Sequence, residues 1–110
     1  MASSKKYMLP EIRSAAWKGD KILQQIINKW VKHKGLSRQY PWLCCYLQSN
    51  RVISTFYTGI KHKTKTYTCI GKKGDYVEAW IYFLFINYGK EAVERYLIKN
   101  IKQHLNTITT

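Results

Sequence analysis

The chain has 110 residues and carries nineteen lysines and arginines but only six carboxylates: Glu11, Asp20, Asp75, Glu78, Glu91 and Glu94. Two of these, Asp75 and Glu78, stand three residues apart at the head of the most apolar stretch, DYVEAWIYFLFINY, between Gly74 and Gly89. At that spacing both side chains leave the same face of one helical turn. Carboxylates so placed can share a divalent cation. Mg²⁺ held by such oxygens makes water nucleophilic and stabilises a leaving oxyanion, which is what phosphodiester hydrolysis requires. A plainer assignment makes Asp75 an N-cap and Glu78 a macrodipole partner, each contributing about 0.3–2 kcal/mol. The Val, Trp, Ile, Phe and Leu content predicts a helix buried on nearly every side. An unpaired charge in such a helix is costly, so both acids need partners.

The elements that must position these acids follow from periodicity. Residues 1–8 form a short basic tail. Pro10 suits the first turn of a helix whose apolar stripe runs through Ile22, Leu23, Ile26, Ile27, Trp30 and Val31 and ends near Gly35. Either Gly19 splits it, with Asp20 capping a second helix, or one helix runs from Pro10 to His33 and Gly19 admits another backbone; the single or slightly kinked helix is favoured. Leu36–Tyr40 is a turn, and Pro41 opens a helix, WLCCYLQ, ending near Asn50. From Arg51 to Ile70 the pattern fits a helix or a β-branched strand. Gly71–Gly74 reads as a turn before the apolar helix. A last helix from Lys90 carries Val93, Leu97, Ile101 and Leu105 on one side, and residues 106–110 form a loose tail. The expectation is a single, mostly helical all-α domain over residues 9–105.

A formal net charge of +13 points to a polyanionic partner, nucleic acid before membrane. Lys61, Lys63, Lys65, Lys72 and Lys73 lead into the acidic turn and are the candidate RNA contacts, since duplex RNA is recognised by shape and backbone. The alternative is a solvated loop. His33, His62 and His104 carry no metal-ligand spacing. Cys44, Cys45 and Cys69 support neither a zinc site nor a disulfide framework, which suits a reducing intracellular compartment, cytoplasmic or organellar. Cys44 and Cys45 are expected as buried small apolar residues. Trp17, Trp30, Trp42 and Trp80 are expected as core or interface anchors. No apolar run reaches the roughly 18 residues of a membrane span.

Two fragments line up in order. Ala15–Val31 (AAWKGDKILQQIINKWV) places Gly19-Asp20 before an apolar helix, and Gly74–Ile98 (GDYVEAWIYFLFINYGKEAVERYLI) opens on Asp-x-x-Glu-Ala and continues through Gly into an amphipathic helix. Together they resemble the ribonuclease III catalytic domain, whose first motif ends Leu-Gly-Asp-x-Val-Leu and whose second is Asp-x-x-Glu-Ala-Leu-x-Gly-Ala-x-Tyr. Gly19, Asp20 and Leu23 match the first; Asp75, Glu78, Ala79 and Tyr82 match the second. The resemblance covers about residues 9–103. Ala16 stands where most of the family has a glutamate, and Ala16-Trp17-Lys18-Gly19-Asp20 is more similar to the short Mini-III branch with its Ala-Tyr-x-Gly-Asp. Lys18 and the bulky Trp80, Phe83 and Phe85 depart from the usual pattern.

The resemblance implies an endoribonuclease that cleaves double-stranded or structured RNA with a metal-activated water and works as a homodimer. Asp20, Asp75 and Glu78 would be the catalytic residues and the ligands of Mg²⁺, with Mn²⁺ as a substitute. No protein nucleophile is needed. Two other outcomes are compatible with the charge: a catalytically inactive RNA-binding relative within a ribosome or other ribonucleoprotein, and a basic helical nucleic-acid packaging protein.

Overall fold

A computed structural model describes residues 10–60 and 68–109. Five α-helices account for most of them: α1 Pro10–His33, α2 Leu43–Leu47, α3 Asn50–Thr55, α4 Ile70–Tyr88 and α5 Lys90–Thr109, with a 3₁₀ turn Phe56–Gly59 after α3. Among the described residues there is no strand, and the fold is all-α.

The first long helix runs unbroken from Pro10 to His33, as its apolar stripe predicts. Its end is fixed by hydrogen bonds from the Leu36 amide to the Val31 carbonyl (3.1 Å) and from the Gly35 amide to the Lys32 carbonyl (3.0 Å). This is the pairing of a Schellman motif. It requires the left-handed backbone that Gly35 adopts at φ 67°.

Between α1 and α4 the chain is broken into short pieces. The helix expected to reach Asn50 stops at Leu47, because Ser49 turns extended and its hydroxyl accepts from the Val52 amide at 3.4 Å to cap α3. The stretch left open between helix and strand is helical, then 3₁₀, as far as Gly59. Val52, Ile53, Phe56, Tyr57 and Ile60 all enter the core. Burial on one helical face therefore outweighs the strand preference of the β-branched residues.

The core lies between α1 and α4, closed by α3 on one side and α5 on the other. Leu23, Ile27, Val31, Leu47, Val77, Ile81, Leu97 and Ile101 are fully buried. Truncating any of the Leu or Ile residues to alanine is expected to cost about 2–5 kcal/mol. Ser54, the one polar residue in this layer among those described, donates its hydroxyl to the Arg51 carbonyl at 3.0 Å.

Three expectations are corrected. First, α4 begins at Ile70, so Gly71–Gly74 is its first turn and Asp75 lies inside the helix, not at its cap. The backbone of Cys69 supplies the extended entry instead. Second, α4 is not buried all round. Gly74, Tyr76, Val77 and Ile81 are buried, whereas Phe83, Phe85, Ile86 and Tyr88 face solvent. Third, residues 106–109 continue α5 in place of a loose tail. The basic tail at residues 1–8 lies outside the described residues.

Candidate functional site

The site is built where α1 crosses α4. Gly19 is buried there, and a Cβ placed on it would sit 2.6 Å from the carbonyl carbon of Glu78 and closer still to its oxygen. Only glycine allows the two backbones to meet. The close approach sets Asp20 on α1 against Glu78 on α4, with Asp75 one turn earlier on the same side.

A surface pocket of about 380 Å³ opens over this crossing. Arg13, Ala16, Trp17 and Asp20 line it from α1, Gln48 and Asn50 from the α2–α3 junction, and Asp75 and Glu78 from α4. All three sequence-selected acids therefore face one cavity, although 55 residues separate Asp20 from Asp75 in the chain.

Their electrostatics are those of crowded carboxylates. The Glu78 carboxyl is pushed up from 4.5 to about 9, first by burial, then by a hydrogen bond to Asp20 and by the negative charges of Asp20 and Asp75. At neutral pH, with no cation present, Glu78 keeps its proton and donates it to Asp20. Asp75 is also raised, chiefly by burial and further by Asp20, while the Arg13 guanidinium pulls it down. Asp20 is held from its other side by the Gln24 amide, which donates to Oδ2 at 2.9 Å one turn along α1.

Among the described residues, no group of three or more His, Cys, Asp or Glu side chains is assembled to hold a metal as placed. The expected three-carboxylate ligand set is thus not preassembled. Asp20 and Glu78 are paired through a proton, and Asp75 couples to them by charge and to Arg13. The donor chemistry nonetheless suits Mg²⁺, which binds through one or two carboxylates and otherwise keeps waters or takes phosphate oxygens. A cation replacing the shared proton would offset both the burial and the repulsion that raise Glu78.

Of the proposed RNA-contacting lysines, Lys61, Lys63 and Lys65 lie outside the described residues, as does His62. Lys72 and Lys73 are in the first turn of α4 and half-buried, with the Lys73 ammonium 5.6 Å over the Tyr57 ring. They are helical side chains leading to the pocket, not members of a loop. His33 is exposed at the end of α1. His104 is occupied by Tyr46, whose hydroxyl lies 2.9 Å from Nε2.

Exposure corrects the cysteine expectation and narrows the tryptophan one, leaving Trp17 and Trp42 outside the core. Cys45 is exposed and Cys44 only half-buried, because Leu43 and Leu47, four residues apart, take the inward face of α2. Trp30 and Trp80 pack at the edge of the core, but Trp17 and Trp42 are 65% and 56% exposed. A single-face stripe cannot bury Trp17, since Ala16 and Leu23 take the inward positions of α1.

Four lining or supporting residues were not singled out by sequence: Arg13, Gln24, Gln48 and Asn50. Gln24 was visible in principle at four residues from Asp20, where an amide and a carboxylate meet on a helix. Asn50 follows the Ser49 cap and lies beside Gly74, a contact that only the tertiary fold creates.

A larger hollow of about 630 Å³ lies along α5. Its two carboxylates, Glu91 and Glu94, are interleaved with Arg95, Lys99 and Lys102 about one turn away. It offers no concentration of one charge comparable with the α1–α4 crossing.

Comparison with protein-family models, with curated proteins and with solved structures returns no match. Among the described residues no helix is long and apolar enough to cross a membrane.

Proposed function

We propose that the chain is a Mg²⁺-dependent endoribonuclease of ribonuclease III type, acting on double-stranded or structured RNA. One observation carries this reading: three of six carboxylates in a protein of net charge +13 face one pocket at a backbone contact that only glycine permits. A protein that attracts phosphate gains nothing from an acidic pocket unless a cation is used there. The motif resemblance at Gly19-Asp20 and Asp75-x-x-Glu78-Ala79 supports the same assignment.

In this reading Asp20 and Glu78 would hold the ion, with Asp75 completing its neighbourhood. The ion would supply charge stabilisation to the departing oxygen and lower the pKa of the attacking water. The protein's own groups do the rest. Gln24 fixes one oxygen of Asp20, so the carboxylate presents the other to the pocket. Arg13, on the rim beside Asp75, meets a scissile phosphate with a planar pair of donors. Glu78 gives up its proton when the site fills, so binding releases protons near neutrality.

The apolar face left open on α4, with Trp80 stacked on Phe83 at 5.4 Å and Ile86 beyond it, supports pairing of two copies as a homodimer.

The test is cleavage of duplex RNA with and without Mg²⁺, with the ends inspected for 5′-phosphate and a short 3′ overhang. Asp75→Asn is expected to abolish cleavage while RNA binding survives. Two observations favour a second reading, a non-catalytic RNA-binding relative: Ala16, not a carboxylate, lines the pocket, and among the described residues no three-acid group is assembled. Wild-type protein that binds duplex RNA but never cuts it establishes that reading.

A further inference from the structure

Trp17 stands out in the pocket. It is 65% exposed, yet apart from the small Ala16 every other residue lining the pocket is polar or charged. The Lys21 ammonium lies 5.4 Å from the centroid of its ring, within cation–π range. An exposed indole on a polar rim is poorly suited to an apolar protein partner, whose side chains would have to desolvate Arg13, Asp20 and Lys21 to reach it. It is well suited to a flat ring that brings its own polar edge.

Gln48 and Asn50 border the same pocket from the opposite side. Gln48 Nε2 donates one N–H to Asn28 Oδ1 at 2.9 Å; its second N–H and its oxygen, with the Asn50 amide, are groups of the kind that pair with base edges. Lys21 is exposed beside Trp17 on α1, whereas the Lys18 ammonium lies 5.1 Å over the Tyr82 ring. A plate for a base, amides for its edge and an ammonium group for its phosphate therefore stand together beside the acids.

Resting on the nuclease reading above, we infer that Trp17 is a nucleobase-stacking subsite and that the substrate is RNA with an unpaired nucleotide at the cleavage position. The bases of a continuous A-form duplex are stacked on both faces and cannot meet the indole. A bulged, looped or terminal base can be splayed out onto an aromatic ring. Trp17 is a specificity-determining residue in this scheme, and the acids remain the reacting site.

The experiment compares two short RNA duplexes of one sequence, one fully paired and one carrying a single unpaired 2-aminopurine nucleotide. Binding is measured with Ca²⁺ in place of Mg²⁺, and cleavage separately with Mg²⁺, for wild type, Trp17→Phe and Trp17→Leu. Circular dichroism checks that each variant folds. Wild type and W17F are expected to bind the bulged RNA about tenfold more tightly than the paired one, as one stacked base contributes, and to quench 2-aminopurine. W17L is expected to lose both effects and to bind paired RNA as wild type does.

Equal affinity of wild type for the two RNAs, or a W17L variant that discriminates as wild type does, overturns the inference. Mg²⁺-dependent cleavage of the paired duplex then leaves the nuclease reading standing. Quenching that depends on Trp17, with no cleavage of either RNA, sinks the nuclease reading and keeps the stacking subsite. A dimer of wild type and W17F that becomes monomeric in W17L without RNA, by sedimentation, makes Trp17 a subunit anchor and overturns the inference.

Discussion

The two halves of α4 differ in both composition and burial, and the more apolar half is the less buried. The first half is pinned: Tyr76, Val77 and Ile81 are buried, and the Glu78 carbonyl is pressed against Gly19. The second half, far richer in aromatic and aliphatic residues, leaves Phe83, Phe85, Ile86 and Tyr88 in water. Apolar content alone does not decide burial; the availability of an opposing surface does. Where α1 supplies that surface, the helix also gathers acids. Where no described element supplies it, the helix keeps an open apolar face.

The sharpest way to break this contrast is Gly19→Ala. The added methyl collides with main chain, so α1 and α4 must separate. A stability loss of about 3 kcal/mol or more is expected in urea denaturation, with Mg²⁺-dependent cleavage lost as well. Ile86→Ser, in the other half, is expected to stay within about 0.5 kcal/mol when the chain is monomeric. It is also expected to shift any dimer toward monomer in sedimentation.

Next in size is the pH response of the pinned half. Glu78 binds its proton more tightly in the folded chain than in the unfolded one, with the pKa at about 9 against 4.5. Its contribution to stability is therefore fully present below about pH 4.5 and is lost as pH rises through about 9. Denaturation in EDTA across that range is expected to show a decline that Glu78→Gln removes. Excess Mg²⁺ is expected to flatten the decline by replacing the proton.

Two smaller effects sharpen the picture away from α4's middle. Among the described residues the buried Tyr96 hydroxyl finds no partner, so Tyr96→Phe is expected to be neutral or stabilising by up to about 1 kcal/mol in thermal denaturation. At the entry to α4, the first-turn amides of Lys72 and Gly71 draw down the Cys69 thiol. Cys69 is thus expected to alkylate faster than the exposed Cys45 near pH 7, by peptide mapping after brief iodoacetamide treatment.

The sequence showed α1 plainly, since Leu23, Ile26, Ile27 and Val31 keep one period over its length and Gly35 marks its end. It showed the acids too, because Asp20, Asp75 and Glu78 are scarce residues in a basic chain. The start of α4 was misplaced because Gly71 and Gly74 read as turn residues. In the fold Gly74 is helical and buried beside Asn50, so a tertiary contact overrides weak propensity. The pairing of Asp20 with Glu78, the reach of Arg13 and the exposure of Trp17 depend on how two helices cross. No local pattern encodes that angle.

The crossing at Gly19 touches main chain to main chain, which makes it a ruler without adjustable parts. Asp20→Asn, Glu78→Gln and Asp75→Asn each leave that ruler untouched. Differences among the three variants therefore report charge and proton inventory at a fixed helix separation, a cleaner experiment than most acidic sites permit.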